Sequence, residues 1–468
     1  MTRGRTSRGR ARALRGGHAL SPARPLVIGE DHGDPVRLDG SAVGATGDRW
    51  MEPFLQANRS HLRRLDVSAE IRAERGVHIS LQPGARIGAV PLLSPSTRRV
   101  AAGLLIKPRF QWSSLGSVFT SIGFSVEPSL GGAPAVPGSA REVPPWILAG
   151  PVLNRIEALL SHRRRGFIER SEERDSPRGR VAWATWASRY VSRGRWSKLP
   201  CTFPDPDDDP HLMASVRWTL GRIRDELAPL REAAPARALL ERAAVLSERA
   251  GQGPSIRPVT SLPMPSGSGW LSEAVEAMQW VADERGLGGA RSLDGLAWDL
   301  AVDAVWEAWV VSFAAELARS TGMVTLPLGA VRHRLRWDGV ASMTSLAPDA
   351  VLHGGGRTVW IDAKYKAHLA LLRRHGWPGL GDSTQGAHRA DLHQALAYAN
   401  LSSDDDVTTV LVYPHLDADE ARPPSAIASL GAGRRRVRLV LAALPFGWTG
   451  PGQQQRWIGR WRGLIAAA

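Results

Sequence analysis

The chain of 468 residues is longer than one ordinary domain, because domains average about 150 residues, and roughly two to four are expected. Its 60 lysines and arginines against 45 acids give a formal charge of +15, which favours a polyanionic partner without specifying which. No run of about 18 uncharged apolar residues occurs, so no membrane-spanning segment is expected, and the single cysteine, Cys201, excludes a disulfide framework or multi-cysteine zinc site and favours a reducing, cytoplasmic environment.

The first part of the chain predicts a basic arm followed by a small β-rich domain. Residues 1–25 hold seven arginines and no acid, which predicts a disordered arm, with a transit peptide as the alternative. Residues 26–145 are expected to form the β-rich N-terminal domain. A helix near "RWMEPFLQANRSHLRRL" precedes strands at "VHISLQ", "RIGAVPLL" and "VAAGLLIKP", and then a helix or strand at "GSVFTSIGFSVE". The prolines and glycines of 130–145 predict a linker.

Residues 146–269 are expected to form a helical middle region and a second linker. The segments "WILAGPVLNRIEALLSH" and "HLMASVRWTLGRIRDELAPL" repeat apolar residues at helical spacing. Between them, "CTFPDPDDDP" predicts a proline-broken acidic loop, and 251–269 reads as a linker.

Residues 270–468 are expected to form an α/β domain. A long helix at "AVDAVWEAWVVSFAAELARSTG" precedes a hairpin, a second helix, and strands at "VTTVLVYP" and "RRRVRLVLAALPF". The basic amphipathic tail "QRWIGRWRGLIAAA" is expected to dock on this domain. The G-x-x-x-x-G-K-[ST] motif is absent from the sequence, so the chain is not expected to bind nucleotide through a P-loop.

The predicted hairpin carries the residues with the clearest chemistry. In "PDAVLHGGGRTVWIDAKYK", residues 348–366, Asp349 begins one strand and Asp362 ends the next, so an antiparallel pairing brings them together. Strand alternation places Lys364 on the same face as Asp362. Two carboxylates suit Mg²⁺, which prefers oxygen ligands, and a neighbouring ammonium can stabilise a phosphate. A metal site with an adjacent cation is therefore predicted.

The helix around "DLHQALAY" is expected to pack on the sheet beside this site. Asp391, Gln394 and Tyr398 share one helical stripe, which would present Gln394 and Tyr398 to the hairpin. His388 and His393 lack cysteine partners or a regular metal-ligand spacing, and they are expected on the helix surface. Lys366 is expected to contact phosphate or solvent.

These motifs resemble those of known nucleases. P-D-x₁₂-D-x-K resembles the signature of the PD-(D/E)xK superfamily, and Gln394 with Tyr398 resembles the Q-x-x-x-Y motif of RecB-like nucleases. "DAKYK", the Gln/Tyr helix and the strand ending "VYP" resemble the McrC family, the nuclease subunit of McrBC-type restriction systems. "RGRVAWATWASRYVSRGRWSKLPCTF" and "GLLIKPRF" resemble upstream segments of that family.

The resemblance implies a restriction-endonuclease-like core at 270–468 and a partner-binding role for 26–145. Asp349 and Asp362 would bind Mg²⁺, or alternatively Mn²⁺, assisted by Glu307, because an acid from the preceding helix often joins such sites. Lys364 would stabilise charge and orient water, while Gln394 and Tyr398 would position water or the DNA backbone. The implied function is DNA cleavage, by hydrolysis of phosphodiesters, within a defence complex whose AAA+ GTPase subunit, McrB-like, recognises DNA and translocates.

Two alternatives stay open. The chain could be a stand-alone RecB-like repair or defence nuclease, or a non-catalytic DNA-binding scaffold subunit. For the three hairpin residues, the alternative to an active site is a solvated hairpin with a surface salt bridge.

Overall fold

A computed structural model describes residues 24–45, 47, 49–73, 76–162, 166–207, 210–258, 269–287, 294–327, 331–335, 338, 345–416, 424–432, 435–448 and 450–466. The basic arm predicted at 1–25 lies outside these residues except for its last two. Most of the linker predicted at 251–269 lies outside them as well.

Strands and helices alternate irregularly along the chain. The strands are β1 Leu26–Glu30, β2 Val36–Leu38, β3 Val67–Arg72, β4 His78–Pro83, β5 Arg86–Leu93, β6 Val100–Lys107, β7 Ser129–Val136, β8 Gly166–Arg174, β9 Arg180–Val181, β10 Leu199–Asp207, β11 Gly295–Ala301, β12 Val324–Thr325, β13 His333–Arg334, β14 Ser345–Leu346, β15 Ala350–Gly354, β16 Arg357–Ala363, β17 Asp406–His415, β18 Ser425–Ala432 and β19 Arg435–Pro445. The main helices are α1 Met51–Arg64, α2 Gln111–Ser121, α3 Pro145–His162, α4 Pro210–Leu227, α5 Ala234–Ala250, α6 Gly269–Ala282, α7 Val302–Thr321, α8 His368–His375, α9 Asp382–Ala399 and α10 Gln453–Ala466. The α/β class predicted from the sequence is confirmed.

A five-stranded sheet in the order β1-β6-β5-β11-β7 dominates the N-terminal part, with a three-stranded sheet β2-β4-β3 beside it. The predicted helix and strands between 49 and 107 are confirmed, and the segment near 116–127 begins as helix α2. The linker predicted at 130–145 is wrong over its first part, because β7 occupies Ser129–Val136. Its glycines and proline are tolerated because β7 is an edge strand.

The middle region contains the predicted helices α3 and α4, and α5 follows them. It also contains a sheet. β10 pairs antiparallel with β8 from Leu199 to Asp207, and β9 adds two residues, so the acidic loop predicted there is wrong. Beyond Thr202, β10 pairs only with β8, and Pro204 and Pro206 stand two residues apart. Their missing N–H groups therefore share one side of the strand.

Two elements of the range 270–468 pack with the earlier regions. α6 packs against α3 and α4, and β11 pairs with β5 and β7 inside the N-terminal sheet. Trp298 of β11 is 1% exposed. The five-stranded sheet therefore extends across the boundary expected at residue 270.

A six-stranded sheet in the order β12-β15-β16-β17-β19-β18 forms the C-terminal part. β16, β17 and β19 run parallel, whereas β12, β15 and β18 join antiparallel. Alternate side chains face opposite layers: Ile361 and Val412 pack toward α7, and Trp360 packs toward α9. Helices therefore cover both faces, and the ends of the parallel strands meet at one edge.

Two indole N–H groups tie α7 to this edge, since Trp306 Nε1 donates to the carbonyl of Val412 (3.3 Å) and Trp309 Nε1 to that of Pro445 (2.8 Å). α7 ends at Gly322, which has a left-handed φ of 70°. The tail forms α10 and docks beside α7 through buried Trp457 and Trp461, as predicted. Among the described residues, none of the helices has the length and apolarity needed to cross a membrane.

Candidate active site

A β-hairpin carries the first two acids of the candidate site. β15 and β16 pair antiparallel around Gly355 and Gly356, whose φ values of 61° and 72° glycine adopts without steric cost. Asp349 precedes β15 and lies beside the end of β16, because the N–H of Ala363 donates a 2.6 Å hydrogen bond to Asp349 Oδ2. The predicted hairpin is confirmed, and it places Asp349 next to Asp362.

Three carboxyl groups converge at this strand end. Asp362 is 5% exposed and Asp349 is half-buried. The exposed carboxyl group of Glu307 in α7 is close enough to interact electrostatically with both Asp349 and Asp362. Burial, together with the nearby carboxylates of Asp362 and Glu307, raises the pKa of Asp349 to about 8, against the lowering effect of the Ala363 N–H. Burial also raises the pKa of Asp362, although the ammonium of Lys364 opposes the shift.

Lys364 supplies a cation directly beside these acids. Its Nζ lies 2.6 Å from Asp362 Oδ2 and donates a 2.9 Å hydrogen bond to Gln394 Oε1. The backbone N–H of Lys364 donates to the carbonyl of Val412, which extends the pairing of β16 with β17 by one residue. The ammonium is thus held at a fixed place between the sheet edge and α9.

Gln394 and Tyr398 continue this arrangement as a chain of hydrogen bonds. Gln394 Nε2 donates to Tyr398 Oη (2.7 Å), and Tyr398 Oη donates to the carbonyl of Ala347 (2.9 Å). Tyr398 is buried and its ring stacks on Trp360 with planes 6° apart. Burial, followed by the charge of Asp362, raises the pKa of Tyr398 far above its ordinary value. The phenol therefore stays neutral and links α9 to the segment leading into Asp349.

The acidic cluster has the donors that a hard divalent cation requires. The ammonium of Lys364 lies 2.6 Å from Asp362 Oδ2 and compensates only part of the negative charge of the cluster. Buried carboxylates that repel one another are stabilised by a cation, and oxygen donors are the ligands that Mg²⁺ prefers. The residues present therefore fit a divalent ion held by Asp349 and Asp362, with Glu307 within reach.

The sequence did not predict a buried contact made by Tyr365, the residue that follows Lys364. Tyr365 Oη donates a 2.5 Å hydrogen bond to Asp31 Oδ2, and Asp31 also accepts from the backbone N–H of Arg109 at 2.7 Å. Asp31 is fully buried, and the Arg109 guanidinium lies 4.6 Å from the centre of the Tyr365 ring. Asp31 and Tyr365 are 334 positions apart along the chain. No local pattern in the sequence could have revealed the contact.

The helix α9 departs from the prediction at His388. His388, expected on the surface, is 2% exposed, because its side of the helix packs toward Tyr413 of β17, whose Oη lies 3.3 Å from His388 Nδ1. Lys366, which lies between β16 and α8, forms an ion pair with Asp391 at 2.8 Å, and its side chain is 38% exposed, which agrees with the expected contact with solvent. His393 is exposed, as predicted.

Comparison with known proteins gives distant structural matches, two of which are described below. No family model and no curated protein matches the chain. It is similar to a chain of a refined half-complex from the tetradecameric assembly of Thermococcus gammatolerans McrB AAA+ hexamers with bound McrC, with 12% identity, a TM-score of 0.43, and coverage of 94% of this chain and 100% of that one. It is also similar to a chain of the cryo-EM structure of the Thermococcus gammatolerans McrBC complex, with 10% identity, a TM-score of 0.26, and coverage of 62% and 88%. Likenesses this distant carry no argument about function, which therefore rests on the residues of the site.

Proposed function

We propose that this chain is a Mg²⁺-dependent deoxyribonuclease of the PD-(D/E)xK type that acts as the McrC-like subunit of a defence complex. One observation carries the proposal: Asp349, Asp362 and Lys364 meet at one sheet edge, where burial raises the pKa of both acids and the Lys364 ammonium lies 2.6 Å from Asp362 Oδ2. The order of these residues in the sequence resembles that superfamily's signature, and the formal charge of +15 favours a polyanionic substrate.

In the proposed mechanism Asp349 and Asp362 hold the metal ion, and Glu307 completes or supports the acidic ligand set. A bound Mg²⁺ would supply Lewis-acid stabilisation of the phosphate and lower the pKa of a bound water. Because the pKa of Asp349 is raised to about 8 without an ion, binding the metal near neutral pH would displace a proton from the cluster.

Lys364 would act on the substrate rather than on the ion. Its ammonium is held by Asp362 and Gln394, so it can orient the attacking water and offset charge that develops on the phosphate. Gln394 and Tyr398 keep Lys364 in place through their hydrogen-bond chain. Such preorganised groups need no rearrangement during the reaction.

The partnership with an AAA+ GTPase rests on the McrC-like motifs and on the absence of a P-loop motif from the sequence. A chain of this kind would rely on its partner for nucleotide-driven work. Recognition of DNA and translocation would belong to that partner, and cleavage would belong to this chain.

The test is cleavage of modified plasmid DNA by the purified chain with Mg²⁺, with and without the AAA+ GTPase and GTP. Asp362→Ala and Lys364→Ala should each lower the rate by about 100-fold or more, as expected for loss of a group that stabilises developing charge. Tyr398→Phe should lower it less. Asp405→Ala is the matched control, because Asp405 is exposed in the loop before β17.

Equal cleavage by the wild type and Asp362→Ala would overturn the site assignment. Cleavage that needs neither GTP nor partner would favour a stand-alone nuclease. DNA binding without Mg²⁺-dependent cleavage would favour a scaffold subunit.

A further inference from the structure

A second cluster of ligating side chains lies outside the acidic site. His368 begins α8, while His388 and Asp391 stand three residues apart on α9 and therefore share one face of the helix. One ligand atom from each residue lies within 4.8 Å of the other two. Their exposures are 7%, 2% and 5%, so all three side chains are buried.

The internal partners of the cluster leave one nitrogen unsatisfied. His368 Nδ1 is buried, has no hydrogen-bond partner among the described residues, and lies 3.4 Å from Asp391 Oδ2. A buried polar atom without a partner is costly, and its persistence calls for an explanation such as a bound ion. Asp391 accepts a hydrogen bond from Lys366, but that contact does not supply a partner for His368 Nδ1.

The chemistry of the three donors selects the class of ion. Two imidazoles and one carboxylate form an N/O set that suits Zn²⁺, which accepts three protein ligands and a water. Mg²⁺ prefers oxygen, so this cluster differs in kind from the acidic site. Zinc bonds of about 2.0–2.2 Å place neighbouring ligands roughly 3.4 Å apart. The His368–Asp391 pair already has that separation, and rotation of side chains would close the remaining distance to His388.

The surrounding groups support metal ligation. His388 Nδ1 lies 3.3 Å from Tyr413 Oη, which leaves its other nitrogen for a ligand role. Lys366 holds Asp391 through both carboxylate oxygens, at 2.8 and 3.0 Å. Outer hydrogen bonds of this sort orient the ligands of protein metal sites.

We propose that His368, His388 and Asp391 form a zinc-type transition-metal site that fastens α8 to α9. The ion would join two helices that the loop 376–381 connects, α8 before the loop and α9 after it. Through Asp391 it also fixes Lys366, two residues beyond Lys364, so the site steadies the segment leaving the candidate active site. This role requires no nuclease chemistry.

The experiment uses the purified full chain, freed of metal with a chelator and titrated with Zn²⁺ against a chromogenic competitor. Binding of one equivalent is expected, and His368→Ala and His388→Ala should each weaken it by at least about 10-fold. His393→Ala is the matched control, since His393 is exposed on the same helix. Asp362→Ala separates this site from the acidic cluster and should leave zinc binding unchanged.

Replacement with Co²⁺ supplies a second readout, because a tetrahedral N/O site gives a visible absorption that His388→Ala would abolish. Circular dichroism checks that each variant folds, and His388→Gln replaces His388→Ala where it does not. Absence of tight zinc binding by the wild type would overturn the proposal. Retained binding in both histidine variants, or loss in Asp362→Ala alone, would overturn it as well.

Discussion

At the scale of single residues, the candidate site holds neighbouring carboxyl groups whose negative charges repel one another. Asp349 and Asp362 are pressed together where burial disfavours their charged forms, and Lys364 compensates only Asp362 directly. A folded protein tolerates such a conflict where function depends on it. Without a cation, the conflict is relieved by a proton on Asp349.

This proton makes the stability of the metal-free protein depend on pH. The folded pKa of Asp349, about 8, lies above its ordinary value of 3.8, so the folded state binds the proton more tightly than the unfolded state. Stability from this group is therefore greatest below the lower value, falls as pH rises between the two, and is flat above the upper one. Each unit of difference between the folded and the unfolded pKa corresponds to about 1.4 kcal/mol of unfolding free energy if the structure does not relax.

Asp349→Asn should remove this dependence, because the amide cannot ionise yet can still accept from Ala363. In chelator, its melting temperature relative to the wild type should rise between about pH 5 and about pH 8. Added Mg²⁺ should stabilise the wild type and not the variant. Thermal unfolding by circular dichroism measures both effects, with Asp405→Asn as the control. A constant difference at all pH values would show that Asp349 is ionised in the metal-free fold.

The sequence was informative about these residues because the hairpin and helix are local. Asp349, Asp362 and Lys364 follow from strand alternation around a glycine turn, and Gln394 and Tyr398 follow from helical spacing. His388 was misplaced because α9 packs on two sides, and a periodicity of polar residues does not show which polar side chain is buried.

At the scale of elements, the errors share a physical origin. β7 and β10 hold the prolines and glycines that normally indicate loops. β7 is an edge strand, and β10 pairs with β9 only at Cys201 and Thr202, so among the described residues much of its length is paired on one side. β11 is central in its sheet, and its pairing with β5 joins residues about 210 positions apart along the chain. Pairings of that kind leave no trace in local periodicity.

The contact between Asp31 and Tyr365 also joins distant elements. It ties the loop after β1 to the end of β16, one residue from Lys364. The stacked rings of Phe110 and Phe446, with centroids 4.8 Å apart, reinforce the same junction. Contacts with the N-terminal sheet therefore stabilise the edge of the C-terminal sheet where Asp349 and Asp362 lie.

Tyr365→Phe should destabilise the protein by about 1–3 kcal/mol, because the ring stays while buried Asp31 loses its phenol partner. Denaturant unfolding gives the magnitude. Tyr190→Phe is the matched control: its hydroxyl bonds to Glu173, whose side chain is 44% exposed, so water can replace the lost contact at a smaller cost. Equal losses in the two variants would mean that the Asp31 contact contributes nothing beyond an ordinary surface hydrogen bond.

At the scale of the whole molecule, the question is whether residues 270–468 can fold independently of the rest of the chain. Its first helix, α6, buries Met278 and Trp280 against the middle region, and β11 lies between β5 and β7. Cutting the chain near residue 268 would leave these surfaces without their partners, and the five-stranded sheet would lose an inner strand. Exposed apolar surface of this kind promotes aggregation and loosens packing.

We therefore expect the fragment 270–468, expressed alone, to unfold at lower denaturant concentration than the full chain and to bind a hydrophobic dye. Co-expression with a fragment covering 24–268 should restore both properties, because α6 and β11 regain α3, α4 and the neighbouring strands without a covalent link. A fragment beginning at 302 is the informative comparison, since it lacks both elements and exposes less apolar surface of its own. Dye binding and denaturant midpoints of 270–468 that match those of the full chain would show that the C-terminal range is an independent unit, with β11 contributing little to either part.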